Sequence, residues 1–140
     1  MLQTLREFIA GCPLLKGRRL GLDLLESEVG SFSLSQSGAA ETQKTYTDGT
    51  GLEKLEFVLS QRTAPTALIS KSAESAELCE GIAAWITGES RAGRLPDAAE
   101  GSGVLRVESI EAVFGGSAHS VRDGASAREI IISVYYLAKQ

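Results

Sequence analysis

Apolar residues first recur at helical spacing, with Leu2, Leu5, Phe8, Ile9 and Cys12 on one side of a helix. Gly11 and Pro13 end that helix, because proline cannot continue its hydrogen-bond ladder. The period then shortens to two. Leu20, Leu22 and Leu24 alternate with Gly21, Asp23 and Leu25, which suits a half-buried strand. Phe32-Ser-Leu-Ser35 alternates more weakly. Gln36 to Ala40 has nothing to pack and predicts a loop, while Thr42 to Thr47 predicts a short strand closed by an Asp48-Gly49 turn. Leu52 to Arg62 is the clearest strand of the first half. Leu55, Phe57 and Leu59 point one way, Glu56, Val58 and Ser60 the other, and Pro65 stops it.

From Thr66 to about Glu89 the pattern is helical again. Ile69, Ala73, Ala76, Cys79, Ile82, Ala83 and Ile86 form a broad apolar face that Leu68, Leu78 and Trp85 widen, with Glu74, Glu77 and Glu80 mostly outside it. Gly88 to Gly103, which contains Leu95-Pro96, predicts a surface loop. Val104 to Phe114 predicts a strand whose alternation slips near Ser109, as at a bulge. Ala127 to Ala138 predicts a second, with Ile130, Ile132, Val134 and Tyr136 on one face and Ile131, Ser133, Tyr135 and Leu137 on the other. A strand apolar on both faces is central in its sheet or buried at an interface. The polar, glycine-rich stretch from Gly115 to Ser126 reads as a long hairpin loop. The order is helix, three or four strands, helix, two strands. This predicts an α+β fold: one domain over residues 1–140, with a largely antiparallel (mixed) sheet of five to six strands and two helices packed on one side.

Composition narrows the function classes. A chain of 140 residues fits one hydrophobic core, and its net charge of −4 repels phosphate backbones, so direct nucleic-acid binding is not expected. The one basic cluster, Lys16, Arg18 and Arg19, falls between the first helix and a strand and reads as a solvated loop. Cys12 and Cys79 follow no metal or redox spacing and read as buried free thiols at apolar helical positions. No stretch approaches a membrane span. Arg6 and Glu7 stand where a signal peptide is apolar, so a cytoplasmic location is expected.

Candidate chemistry is sparse. His119-Ser-Val-Arg-Asp123-Gly124 has the H-x-x-x-D-G pattern of chloramphenicol acetyltransferase-like acyltransferases, in which a histidine deprotonates the acceptor hydroxyl. The chain is much shorter than those enzymes, and Asp-Gly is ordinary turn chemistry. An acyltransferase using His119 is therefore the alternative reading. Gly115-Gly116 lacks the spacing of a phosphate-binding loop. Glu108 and Glu111, three apart, face opposite sides of a regular strand and do not form an acid–base pair. Trp85 reads as core. Tyr135 and Tyr136 face opposite ways, which leaves one of them for a surface or a contact. No catalytic, cofactor-binding or metal-binding residue is assigned, and no cofactor is expected.

Several short motifs carry a resemblance over nearly the whole chain: Cys12-Pro13-Leu14-Leu15, Tyr46-Thr-Asp48-Gly49, the strand with Phe57, Leu59 and Arg62, Trp85 followed by Gly93-Arg-Leu95-Pro96, and the closing Ile132-Ser-Val-Tyr-Tyr136. In order and spacing they resemble a family of small phage proteins, found mostly in prophages of Gram-positive bacteria and described as minor capsid or tail-terminator-like. Gln61 to Thr66 departs from the aromatic-containing stretch expected there. The resemblance implies a non-enzymatic protein of the head–tail junction. Its copies assemble into a ring, commonly a hexamer, that caps the tail tube and meets the head connector. It also implies a place in the host cytoplasm and then in the virion. An unrelated binding adaptor is the remaining alternative.

Overall fold

A computed structural model describes residues 1–15, 20–22, 32–63, 69–98, 103–120 and 126–139. The elements run α1 (Leu2–Ala10), a 3-10 turn (Pro13–Leu15), β1 (Leu20–Leu22), β2 (Phe32–Thr45), β3 (Thr50–Thr63), α2 (Ile69–Arg91), β4 (Val104–Ser120) and β5 (Ser126–Lys139). The five strands form one sheet in the order β1-β2-β3-β5-β4. Every pairing is antiparallel except β1 with β2, which is parallel over Phe32 to Leu34. The sheet is thus mixed, with five strands. The strand apolar on both faces, β5, is central, between β3 and β4.

Alternation decides which face is buried. On β3 the buried side chains are Leu55, Phe57, Leu59 and Gln61, and opposite them on β5 are Val134, Ile132, Ile130 and Arg128. Ile110, Ala112 and Phe114 of β4 extend these rows, as do Phe32 and Leu34 of β2. The helices supply Leu5 and Ile9 from α1 and Cys79, Ile82, Ala83 and Ile86 from α2, all in the same apolar cluster. Burying a side chain such as Phe57 contributes about 2–3 kcal/mol. Both helices therefore cover one face of the sheet. Arg6 Nε donates to the Leu20 carbonyl at 3.1 Å, which fastens α1 to β1.

Several boundaries differ from the sequence expectation, each for a physical reason. Gln36 to Ala40 is strand, not loop, and joins Thr42–Thr45 in one 14-residue β2. Its side chains are exposed, and pairing of Gln36 and Ser37 with β3 on one side and of Glu41 on the other holds it, so no hydrophobic alternation marks it. Two irregularities, between Ser37 and Glu41 and between Thr42 and Lys44, let β2 carry extra residues, and Gly38 takes φ +77° within the first. β4 continues past Phe114 to Ser120, through part of the stretch expected to be loop. It has shifts between Val104 and Arg106, between Val107 and Ser109, and between Phe114 and Ala118, so the slip expected near Ser109 is a bulge. Cys12 lies just beyond α1 and is buried all the same. α2 runs past Gly88 to Arg91 and ends where Gly93, at φ +80°, and Arg94 donate to Ser90 and Glu89 carbonyls at 3.0 and 2.9 Å. A residue with positive φ is what such a helix end requires, and glycine adopts it without a steric cost. Asp23 to Leu25, Lys16 to Arg19, Thr66 to Leu68 and Asp123 lie outside the described residues.

Near the hairpin end of the sheet, Tyr136 is buried opposite Glu53 and donates its hydroxyl to that carboxylate. Burial first, then the anionic acceptor, push its ionisation up from 10.0 to about 12. The neutral phenol is the form the fold favours. Its stabilisation is fully present below pH 10 and is lost as pH rises through about 12. Tyr136→Phe is expected to remove a phenolate absorbance component titrating near pH 12. It should also lower stability at neutral pH by about 1–2 kcal/mol in a denaturant melt. An unchanged alkaline titration would contradict this.

Candidate assembly surface

The second face of the sheet has neither α1 nor α2 upon it, and its composition follows from the same alternation. One row crosses it from Ser35 through Val58 and Ile131 to Val113. Ile131 is 39% and Val113 64% exposed, large values for branched apolar side chains. The row above contains Ser60 and Glu129, and the row below contains Glu56, Ser133 and Glu111. An apolar band thus runs between acidic side chains. Farther along, Tyr135 lies on this face, with Lys54 Nζ 6.0 Å from its ring centre and 3.6 Å from Glu56. Of the two adjacent tyrosines, Tyr136 belongs to the core and Tyr135 to the open face.

The β2–β3 hairpin closes on a turn built from Tyr46 to Gly49. Gly49 takes φ +90° and donates to the Tyr46 carbonyl at 3.2 Å. Asp48 Oδ1 accepts from Thr50 N at 3.0 Å and Thr50 Oγ1 at 2.6 Å, and these bonds hold its carboxyl below the usual range. Where β2 bulges, Ser37, Gly38, Ala39, Glu41, Lys54 and Glu56 line a shallow cavity of about 300 Å³. The small side chains at Gly38 and Ala39 leave that recess open.

The two edges of the sheet are unlike. Along β4, Ser90 Oγ of α2 accepts from Ile110 N at 2.9 Å. Thr87 Oγ1 accepts from Ala112 N at 3.3 Å and donates to the Ala112 carbonyl at 3.5 Å. Two helix hydroxyls thus occupy backbone groups that a further strand would need. Along β2, β1 pairs only Phe32 to Leu34, and from Ser35 to Thr45 no described strand lies on the outer side. The sequence gives little sign of this difference: Thr87 falls near the end of the expected helix and Ser90 in the stretch expected to be loop.

The remaining sequence candidates fall as follows. The backbone of His119 is in the β4 ladder opposite Ala127, while Asp123 is outside the described residues, so no His119–Asp123 pair is on view. Glu108 sits at a β4 bulge and accepts from Arg106 at 2.6 and 2.8 Å, whereas Glu111 is exposed on the open face. Trp85 packs its ring 5.5 Å from that of Phe8 at the margin of the core. Both cysteines are buried, and neither is in a disulfide. Cys79 donates to Gln61 Oε1 at 3.4 Å, and burial pushes the Cys12 thiol up, away from the reactive thiolate. Among the described residues, no cluster of His, Cys, Asp and Glu is arranged to hold a metal ion, and no helix is long and apolar enough to cross a membrane.

No protein-family model matches the chain, and no curated protein matches it.

Thr87→Val keeps the shape of the side chain but removes the hydroxyl that satisfies Ala112. It is expected to destabilise the fold by about 1–2 kcal/mol in a denaturant melt, the cost of leaving a part-buried backbone group unpaired. A melt identical to that of the unaltered protein would show that the hydroxyl does not seal this edge.

Proposed function

We propose that the chain is a structural protein of a phage or prophage, acting as a tail terminator or minor capsid protein at the head–tail junction. In this reading copies assemble into a ring that binds tail-tube and connector proteins. They do so in the host cytoplasm and remain as a virion component. The work is done by contact between surfaces, and no chemical step is assigned to any residue.

The observation that supports this reading best is the division of the sheet into one packed face and one on which no described helix lies. A head-to-tail ring needs two different surfaces on each subunit, one to present and one to receive. The open face, with its apolar row through Ile131 and Val113, offers one, and the exposed β2–β3 hairpin offers another. The motifs from Cys12 to Tyr136 that resemble the small phage family favour this use over that of a general adaptor.

The test is to add the purified chain to a phage tail-tube protein from the same genome, and to image both by electron microscopy. Closed rings of one size and tubes stopped at a shortened length are the expected result. Monomers at every concentration, with tube growth unaltered, would overturn the proposal. Thioester consumption that His119→Ala abolishes would put the acyltransferase in its place.

A further inference from the structure

We propose that the outer edge of β2 pairs with the same edge of a second copy, antiparallel about a twofold axis between Thr42 and Gln43. This goes beyond the ring and does not depend on it. Pairing of this kind joins two subunits, or two rings if rings have formed.

The first argument is the inequality of the edges. Sheet edges associate by exchanging backbone hydrogen bonds. Thr87 and Ser90 occupy such groups at Ile110 and Ala112, in the middle of β4, which disfavours pairing there. The β2 edge from Ser35 onward has no described strand on it and contains no proline. Its Gly38 and Glu41 carbonyls accept from the side-chain amides of Gln36 and Gln43 at 2.9 and 3.3 Å, exposed contacts that an incoming strand displaces. Edge-to-edge pairing between copies is then β2 with β2. Pairing of like with like is twofold and self-limiting, which stops at two.

The second argument is register. An axis between Thr42 and Gln43 sets Glu41 of each copy opposite Lys44 of the other, so symmetry supplies two opposite-charge pairs. The bulge between Thr42 and Lys44 matters here. Glu41 is in register with Lys54 and Lys44 with Leu52, both open-face positions of β3, so the bulge brings Glu41 and Lys44 to one face although they are three apart. Directly opposed residues of antiparallel strands share a face, as this pairing requires.

The third argument is shape. The same register sets Tyr46, 37% exposed, opposite Ala39, at the cavity that the small side chains leave open. A large ring then meets a recess, and the charges meet their opposites, in a single alignment.

The proposal is tested by charge exchange, read by sedimentation equilibrium of the full chain over a range of concentrations. The unaltered protein is expected to show reversible pairing that weakens with salt. Glu41→Lys and Lys44→Glu each set two like-charge pairs in the contact and should weaken it about tenfold or more. The double variant carrying both changes restores opposite charges in this register alone and should recover the original affinity. Circular dichroism and thermal melting establish that each variant is folded. Should any variant fail to fold, a spin label on Gln43→Cys in the otherwise unaltered chain replaces it, the native thiols being buried. Short-range broadening between labels is expected, and widely separated labels would overturn the pairing. A protein that never pairs, single changes without effect, or a double variant as weak as the singles would also overturn it. Rings that persist in the single variants would leave the proposed function standing while this contact is lost.

Discussion

β3 and β5 pair residue for residue from Thr50 opposite Lys139 to Thr63 opposite Ser126, without a shift anywhere along the ladder. This run fixes everything built on it. Slipping it by one residue would turn Leu55, Phe57 and Leu59, or Ile130, Ile132 and Val134, from the core into water, so burial locks the register. The bulges are confined to the strands on either side, β2 and β4. A bulge bends and twists the strand that carries it, so the sheet curls outward from a regular centre. The helices cover one side because only that side presents continuous rows of large apolar residues.

From this arrangement follows the contrast between the edges. α2 packs against β4, buries Ile82 and Ile86 in the core and, on reaching the edge, spends its last two turns supplying hydroxyls to β4 backbone groups. β1 is too short to do the same for β2, and its three residues leave the hairpin arm outside. The face and the edge on which no described helix or strand lies meet along this arm, where Glu41, Lys54 and Glu56 surround the small-residue recess. Among the described residues, Cys12 and Cys79 are buried, and Glu108 and Arg106 are engaged with each other.

Side-chain patterning was legible in the sequence wherever burial enforces it. The two faces of β3, the two faces of β5 with its central place, the buried stripe of α2 and the slip near Ser109 can all be read from apolar spacing. Structure held by the backbone alone was not legible. Gln36 to Ala40 has small or polar side chains and no apolar alternation, yet it belongs to β2, with Gln36 and Ser37 paired to β3 and the next three residues in the irregularity before Glu41. The extension of β4 beyond Phe114 and the parallel placement of β1 are of the same kind. The closed edge escaped because a threonine and a serine near a helix end carry no distinctive signal. The open face was half visible, since the last strand read as apolar on both faces, with Ile131, Tyr135 and Leu137 on the second.

Hydrogen exchange followed residue by residue tests the central ladder most directly. If the unbroken β3–β5 pairing is the frame on which the rest depends, the amides of Leu55 to Leu59 and Ile130 to Val134 exchange only through global unfolding. Those of β2 from Gln36 to Thr45 then exchange much faster in the dilute protein. Exchange of the β3–β5 amides as fast as those of the β2 arm, well above the global unfolding rate, would contradict the account.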